Sequence, residues 1–226
     1  MNKDFKLIVI EGVDSSGKAT QSALLKEKLI RMGKNVASIE FPNYSHESSA
    51  VVKMYLNGDF GKDPNAVNPY ATSMLFAIDR FASCKATWKE LFKNDTIIIA
   101  DRYTTSNMVH QASKIKDCKE KSEFLDWLYD LEYEKLSLPE PDLVIFLDMP
   151  PENARQLMEK RANKIDNSSV KDIHESNETY LRESYDNAVF IAQKYNWTTI
   201  HCTNDGKLRT LDEISDEIFS KVTELV

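Results

Sequence analysis

The residues best suited to chemistry stand close to the amino terminus, where a glycine- and serine-rich segment follows a short apolar run. Its spacing is G-x-x-x-x-G-K. Glycines let backbone N–H groups wrap around phosphate oxygens, and the lysine adds a mobile positive charge. The pattern predicts an ATP-binding phosphate loop between a strand and a helix, formed by Gly12, Val13, Asp14, Ser15, Ser16, Gly17, Lys18, Ala19 and Thr20.

One position of this loop departs from the usual pattern. The residue after the lysine is normally Ser or Thr, whose hydroxyl binds Mg²⁺, but here it is Ala19. Thr20 comes one position later and should face elsewhere on the helix. We therefore expect a carboxylate to bind the metal, with Asp14 as the first candidate.

Three further clusters combine arginines with aromatic residues at the ends of predicted elements. Asp101-Arg102-Tyr103 and Phe41-Pro42-Asn43-Tyr44 each stand at the end of a predicted strand, and Asp79-Arg80 ends a helical stretch that contains Phe76. Arginine suits bidentate phosphate recognition, and an aromatic ring suits a stacked base. The clusters predict a second, acceptor site. An Asp79-Arg80 ion pair in solvent and a core position for Phe76 remain alternatives.

The elements that must position these residues alternate along the chain. Continuous apolar runs indicate strands covered on both faces, and helical stretches separate them, which predicts a parallel sheet flanked by helices. Ligands of such sheets bind beyond the carboxyl ends of the strands. The predicted strands are 7–10, 97–100 and 143–147, with weaker versions of the pattern at 36–41 and 198–202. The predicted helices are 20–32, 66–92, 119–136, 151–161, 178–195 and 211–225.

Composition narrows the function classes. The 226 residues suit one α/β domain, and the net charge of −7 argues against nucleic-acid binding. No apolar run approaches the ~20 residues of a membrane span, and no secretory leader is evident, so we expect a cytoplasmic protein. The four histidines show no metal-ligand spacing, and only His110 falls near a predicted site.

Taken in order, the motifs resemble those of the thymidylate kinase family over most of the chain. Asp-Arg-Tyr followed by Ser-Asn, together with Phe-Ala-x-Asp-Arg, distinguishes this family from adenylate and guanylate kinases. The resemblance implies the fold of a P-loop NTPase: a three-layer α/β sandwich with a five-stranded parallel sheet, a single domain over 1–226 and a short lid at about 155–172. The matching segments are 10–14, 17–18, 41–42, 75–80, 101–103, 106–107 and 147–150.

The same resemblance implies transfer of the γ-phosphoryl group of ATP to dTMP with Mg²⁺, giving dTDP and ADP in dTTP biosynthesis. Lys18 and the loop amides would hold the ATP phosphates, and Arg102 the monophosphate. Asp14 would contact the sugar 3′-hydroxyl or the metal, and Asp101 would position Mg²⁺ and its waters.

For the acceptor base, the resemblance implies that Phe76 stacks on thymine, Arg80 bonds the base carbonyl and approaches the monophosphate, and Asn107 reads the base edge. Two positions differ from many relatives. Asn43 lies at or near a position where many of them carry Arg, and His110 stands where many carry a Tyr associated with the 2′ side of the sugar. The remaining implied acceptor-site residues are Phe41, Pro42, Ser106, His110 and Gln111.

Phosphoryl transfer also needs cations around the transferring group. Some thymidylate kinases carry an arginine in the phosphate loop where this chain has Ser15. We expect the missing charge to come from the lid, with Arg161 as the first candidate and Arg155 as the second. A solvated basic helix end is the alternative.

Two other functions remain open: a kinase for a different nucleotide or nucleoside on the same scaffold, and a nucleotide-binding switch. Arg80 and Arg102 argue against an acceptor without a phosphate, and the paired acceptor motifs argue against a switch. The resemblance further implies a homodimer through helices that flank the sheet, with the predicted helix 66–92 as a candidate.

Overall fold

Five parallel strands form the central sheet in the order β2-β3-β1-β4-β5. The computed structural model describes residues 5–162, 173–174 and 177–226. The predicted α/β fold is confirmed, and a short β6-β7 hairpin adds to it. The strands are β1 (Phe5–Glu11), β2 (Val36–Glu40), β3 (Thr96–Asp101), β4 (Leu143–Asp148), β5 (Thr198–His201), β6 (Thr203–Asn204) and β7 (Lys207–Leu208).

Eight α-helices stand between or after these strands in the described ranges. The short α2 and α4 were not among the predicted helices, and a π-helical turn, Asp130–Lys135, extends α5. None of these helices is long and apolar enough to cross a membrane. They are α1 (Lys18–Arg31), α2 (Ala50–Leu56), α3 (Pro69–Ala86), α4 (Thr104–His110), α5 (Cys118–Tyr129), α6 (Pro151–Ala162), α7 (Glu178–Lys194) and α8 (Leu211–Thr223).

Helix α3 is shorter than the predicted span 66–92, and the reason is local. The side chain of Asn68 accepts a hydrogen bond from the backbone N–H of Ala71, and Pro69 occupies the first helical position. Both features start a helix. Thr87 leaves the helical conformation at the other end, and Trp88–Leu91 continues only as a 3₁₀ turn.

The core lies on both faces of the sheet because every residue of β1 except Lys6 is buried. Ile8 and Ile10 pack on one face with Leu25 of α1 and Ile218 of α8. The other face carries a second cluster that includes Leu7, Val9 and Trp88. This arrangement gives the three layers that the motifs implied and leaves the carboxyl ends of β1, β3 and β4 at one edge of the sheet.

Candidate active site

A cavity opens at the carboxyl edge of the sheet, between the phosphate loop, α3 and α4. It brings together the three clusters that the sequence placed at element ends. The side chains that line it are those of Asp14, Phe41, Pro42, Tyr44, Leu56, Phe76, Arg80, Arg102, Tyr103, Ser106, Asn107, His110, Gln111 and His174.

The phosphate loop connects β1 to α1 as the motif predicted. Gly12 is required by crowding, since a Cβ there would lie 2.6 Å from Ser16 Oγ and 3.1 Å from the Leu147 carbonyl oxygen. Gly17 precedes α1 with φ 91°, a left-handed conformation that glycine adopts readily. The hydroxyl of Ser16 is buried and has no hydrogen-bond partner in the described part of the chain. The loop therefore offers an unpaired hydroxyl at the positive end of a helix.

Lys18 folds back over this loop. Its ammonium donates hydrogen bonds to the carbonyl oxygens of Gly12 and Val13, at 2.9 and 2.8 Å. Burial, followed by the nearby charge of Arg102, lowers the pKa of Lys18 from 10.5 to about 8. An anion beside this ammonium would favour its charged form, so phosphate binding and protonation of Lys18 support each other.

Arg102 joins the acceptor side to the phosphate loop. Its guanidinium forms an ion pair with Asp14, donates to Nε2 of His110 at 3.2 Å, and lies 3.9 Å from the buried carboxylate of Glu11. Its backbone is left-handed, with φ 67°, a strained conformation for a residue that has a Cβ atom. Burial lowers the pKa of Arg102, but Asp14 and Glu11 outweigh it and raise the value above the usual range.

The carboxylate of Asp14 stays ionised in this setting. Burial alone would raise its pKa, but the charges of Arg102 and Lys18 hold the pKa of Asp14 well below its usual range. Asp101, half-buried at the end of β3, is close enough to influence both cations. Asp14 within the loop and Asp101 at the end of β3 are thus two carboxylates close to Lys18, while no cluster of three metal-binding side chains occurs among the described residues.

The opposite end of the cavity is organised by a residue that sequence reasoning missed. Glu132 is fully buried and accepts hydrogen bonds from Nε and Nη2 of Arg80. Thr104 and Asn107 donate to the same carboxylate, at 2.8 and 3.2 Å. Burial alone would lower the pKa of Arg80. The charge and hydrogen bonds of Glu132 together outweigh this effect, so the pKa of Arg80 lies above its usual value.

The alternative of a solvated ion pair between Asp79 and Arg80 is wrong, because both residues are 1% exposed and their side chains have different partners. Asp79 accepts a hydrogen bond from the backbone N–H of Asn43 and another from the hydroxyl of Ser48. It ties the loop after β2 to α3, and this loop carries Phe41 and Pro42 into the cavity.

His110 is not alone at the site, which corrects the expectation from the sequence. His174 also lines the cavity, and its ring stacks near that of His110, with centroids 6.1 Å apart. Because a guanidinium only donates, Nε2 of His110 accepts from Arg102, and the buried Nδ1 has no partner in the described ranges. Burial lowers the pKa of His110 well below 6.5. This histidine is neutral at physiological pH.

The remaining predicted acceptor-site residues divide by exposure. Phe76 is half-buried with its ring at the cavity, whereas Phe41 is 5% exposed and packs against Trp88 and Tyr103. The hydroxyl of Ser106 donates to Glu11 at 2.7 Å. The side-chain oxygen of Gln111 is buried at the cavity without a partner in the described chain. Phe76 thus offers the cavity a more accessible aromatic ring than Phe41 does.

Comparison with known proteins decides the family. A sequence model described as "Thymidylate kinase" matches residues 10–213 of this chain. The chain belongs to the thymidylate kinase family. Thymidylate kinase from Schizosaccharomyces pombe is 34% identical over 164 residues, covering 71% of this chain and 70% of that protein. Thymidylate kinase from Mycobacterium tuberculosis is 32% identical over 159 residues, covering 70% and 72%.

A solved structure supports the same fold. The thymidylate kinase of Candida albicans superposes with a TM-score of 0.72, covering 99% of this chain and 93% of that chain at 23% identity. At two positions where this chain differs from many thymidylate kinases, the structure shows what surrounds the side chain. Ala19 is exposed at the first turn of α1, and the side chain of Asn43 accepts from the hydroxyl of Ser45.

The lid residues expected from the resemblance to thymidylate kinases are only partly described. Arg155 lies on α6 and forms an exposed ion pair with Glu178 at 2.8 Å. The side chain of Arg161 and residues 163–172 lie outside the described residues. The assignment of a catalytic cation to either arginine therefore stays a prediction.

Proposed function

We propose that this chain transfers the γ-phosphoryl group of ATP to dTMP, giving dTDP and ADP. The ion pair between Arg102 and Asp14 carries the proposal, because it joins an acceptor-side guanidinium directly to the phosphate loop. An acceptor phosphate held by Arg102 would lie next to the donor phosphates. The other end of the same cavity offers an aromatic face and paired polar groups for a base.

The chain's residues contribute mainly positioning and charge, which is what phosphoryl transfer demands. Lys18 and the loop N–H groups would hold the donor phosphates at the start of α1. Arg102 would orient the acceptor phosphate so that its oxygen attacks in line with the breaking bond. We assign to Arg161, and secondarily Arg155, the cation that stabilises charge as the lid closes.

Mg²⁺ fits the donor set, because it prefers hard oxygen ligands and binds through one or two carboxylates together with substrate phosphates. Asp14 is ionised within the loop, and Asp101 lies at the end of the neighbouring strand β3. These two carboxylates would hold the ion directly or through water. The metal would neutralise charge on the phosphates, a role that Ala19 cannot assist through a hydroxyl.

Following the fate of labelled phosphate separates the candidate functions. Incubation with dTMP and γ-labelled ATP should place the label in dTDP. Label released only as inorganic phosphate would indicate a nucleotide-binding switch. In a parallel incubation with thymidine in place of dTMP, efficient formation of labelled dTMP would indicate a nucleoside kinase. The Lys18→Ala variant should show none of the transfer, which controls for contaminating kinases.

We also propose a homodimer in the cytoplasm. Helix α3 exposes Met74 and Ile78, by 47% and 54%, and the adjacent α2 exposes Val51 and Met54, by 43% each. Neighbouring exposed apolar side chains favour an interface between protein copies. Light scattering after gel filtration should give about twice the mass of the chain, and Ile78→Glu should lower it to the monomer. A wild-type monomer would contradict this interface.

A further inference from the structure

The buried carboxylate of Glu132 has more donors than any single ion pair requires. Oε2 accepts from Nε of Arg80 at 2.6 Å and from the hydroxyl of Thr104 at 2.8 Å. Oε1 accepts from Nη2 of Arg80 and from the amide nitrogen of Asn107 at 3.2 Å. One carboxylate on the turn after α5 therefore restrains side chains from α3 and α4 at once.

These bonds fix what each side chain can still offer to the cavity. Two guanidinium nitrogens of Arg80 are engaged, so Nη1 remains as a donor with no acceptor in the described ranges. The amide nitrogen of Asn107 donates to Glu132 and to the Ser73 carbonyl oxygen, both at 3.2 Å. With both amide hydrogens used, Asn107 retains its Oδ1 as an acceptor.

A donor beside an acceptor matches one edge of a pyrimidine and not the other. Thymine and uracil present a C4 carbonyl, which accepts, next to N3–H, which donates. Cytosine reverses both groups, with a C4 amino donor and an N3 acceptor. A site built to pair with specific polar groups rejects analogues that leave those groups unpaired.

We infer that Glu132 is a specificity-determining positioning residue, which fixes Arg80 as donor and Asn107 as acceptor and so selects imide-type pyrimidine monophosphates over cytosine nucleotides. Glu132 itself lies behind both side chains, since it is fully buried and does not line the cavity. Loss of the Glu132 charge weakens one of the two acceptors that hold the Asn107 amide nitrogen, so the amide can turn over more easily and present its nitrogen to the base. The inference rests on the proposed function, because it concerns the acceptor base of that reaction.

Glu132→Gln tests the inference, because glutamine keeps the shape and removes the charge. Steady-state kinetics with dTMP and dCMP should show the ratio of kcat/KM values falling on the order of tenfold to a hundredfold. KM for ATP should stay unchanged, since the phosphate loop lies at the other end. Glu134→Gln, an exposed glutamate in the same turn, is the matched control and should leave the ratio unaltered.

A purely structural role would lower activity with both acceptors equally, so an unchanged dTMP to dCMP ratio in Glu132→Gln overturns the inference. If that variant does not fold, Thr104→Val removes one donor from the same carboxylate and should lower the dTMP to dCMP ratio by a smaller factor. An unchanged ratio in Thr104→Val would also contradict the inference. Glu132→Asp should recover part of the ratio. Failure of the wild-type protein to phosphorylate dTMP would instead refute the proposed function.

Discussion

The guanidinium of Arg102, just after β3, forms an ion pair with the carboxylate of Asp14, inside the phosphate loop that follows β1. The two strands are direct neighbours in the sheet, with Ile10 paired to Asp101. This pairing brings the two residues together although 88 positions separate them in sequence. The proposed donor and acceptor sites therefore share one ion pair, and a change in either residue should affect both.

Arg102→Ala should raise KM for dTMP and lower kcat together. Removing the guanidinium deletes a charge-assisted hydrogen bond worth about 1.5–3 kcal/mol, which is about ten- to a hundredfold in kcat/KM. It also leaves Asp14 without its partner. Steady-state kinetics against dTMP would measure the loss, with Arg31→Ala, an exposed arginine on α1, as the control. Unchanged dTMP kinetics would remove Arg102 from the site.

The pH dependence of ATP use should report on Lys18. Its pKa is lowered to about 8 in the free protein, so the ammonium loses its charge as pH rises through that value. We expect kcat/KM for ATP to fall above about pH 8, because kcat/KM reports groups of the free enzyme. In the bound complex the phosphates raise this pKa, so kcat should stay flat over the same range. Lys18→Arg, which stays charged, should abolish the fall; a fall that persists would assign it to another group.

Gly12→Ala should weaken ATP binding and lower the melting temperature. The new Cβ would lie 2.6 Å from Ser16 Oγ and 3.1 Å from a backbone oxygen of β4, so the loop must shift. Gly206→Ala is the control, because its Cβ would meet nothing within 4 Å and adds only the cost of a left-handed alanine, about 1–2 kcal/mol. Equal effects of the two substitutions on ATP binding would contradict the crowding argument.

Arg161→Ala should lower kcat on the order of 10²-fold or more with little change in KM values, since a cation that arrives on lid closure acts mainly on the transition state. Arg155→Ala should show a smaller effect, because Arg155 is exposed and paired with Glu178. Rapid-quench measurement of the transfer step on both single variants and the double variant checks this. Near-wild-type transfer in the double variant would leave Lys160 or Lys164 as candidates.

The sequence predicted what depends on short-range patterns. Continuous apolar runs located β1, β3 and β4, whose residues are mostly buried from both sides of the sheet. The outer strands β2 and β5 carry polar residues and were found from weaker versions of the pattern. The glycine spacing located the phosphate loop, because backbone wrapping around phosphate requires it. The helix 66–92 was too long, since the apolar pattern does not record how Asn68 and Pro69 start a helix or how Thr87 ends one.

Residues that act through distant partners were missed. Glu132 stands in a charged stretch, Asp130–Lys135, whose composition indicates a solvated helix surface. Its burial depends on the ion pair with Arg80, 52 positions away in sequence. His174 reaches the site by packing against His110 and hydrogen bonding to Tyr55. No local spacing encodes either contact. A buried arginine needs a buried counterion, so Arg80 at a site position could have prompted a search for a carboxylate.

The most direct test of the proposed function is a comparison of kcat/KM for ADP formation across a panel of monophosphates with saturating ATP and Mg²⁺. We expect dTMP to be the best acceptor, and dUMP to be a poorer but real one, because a single methyl group in an apolar pocket is worth only about 1–3 kcal/mol. Values for dCMP, dGMP and AMP should be far lower. A protein that uses any of these three as well as dTMP would contradict the assignment.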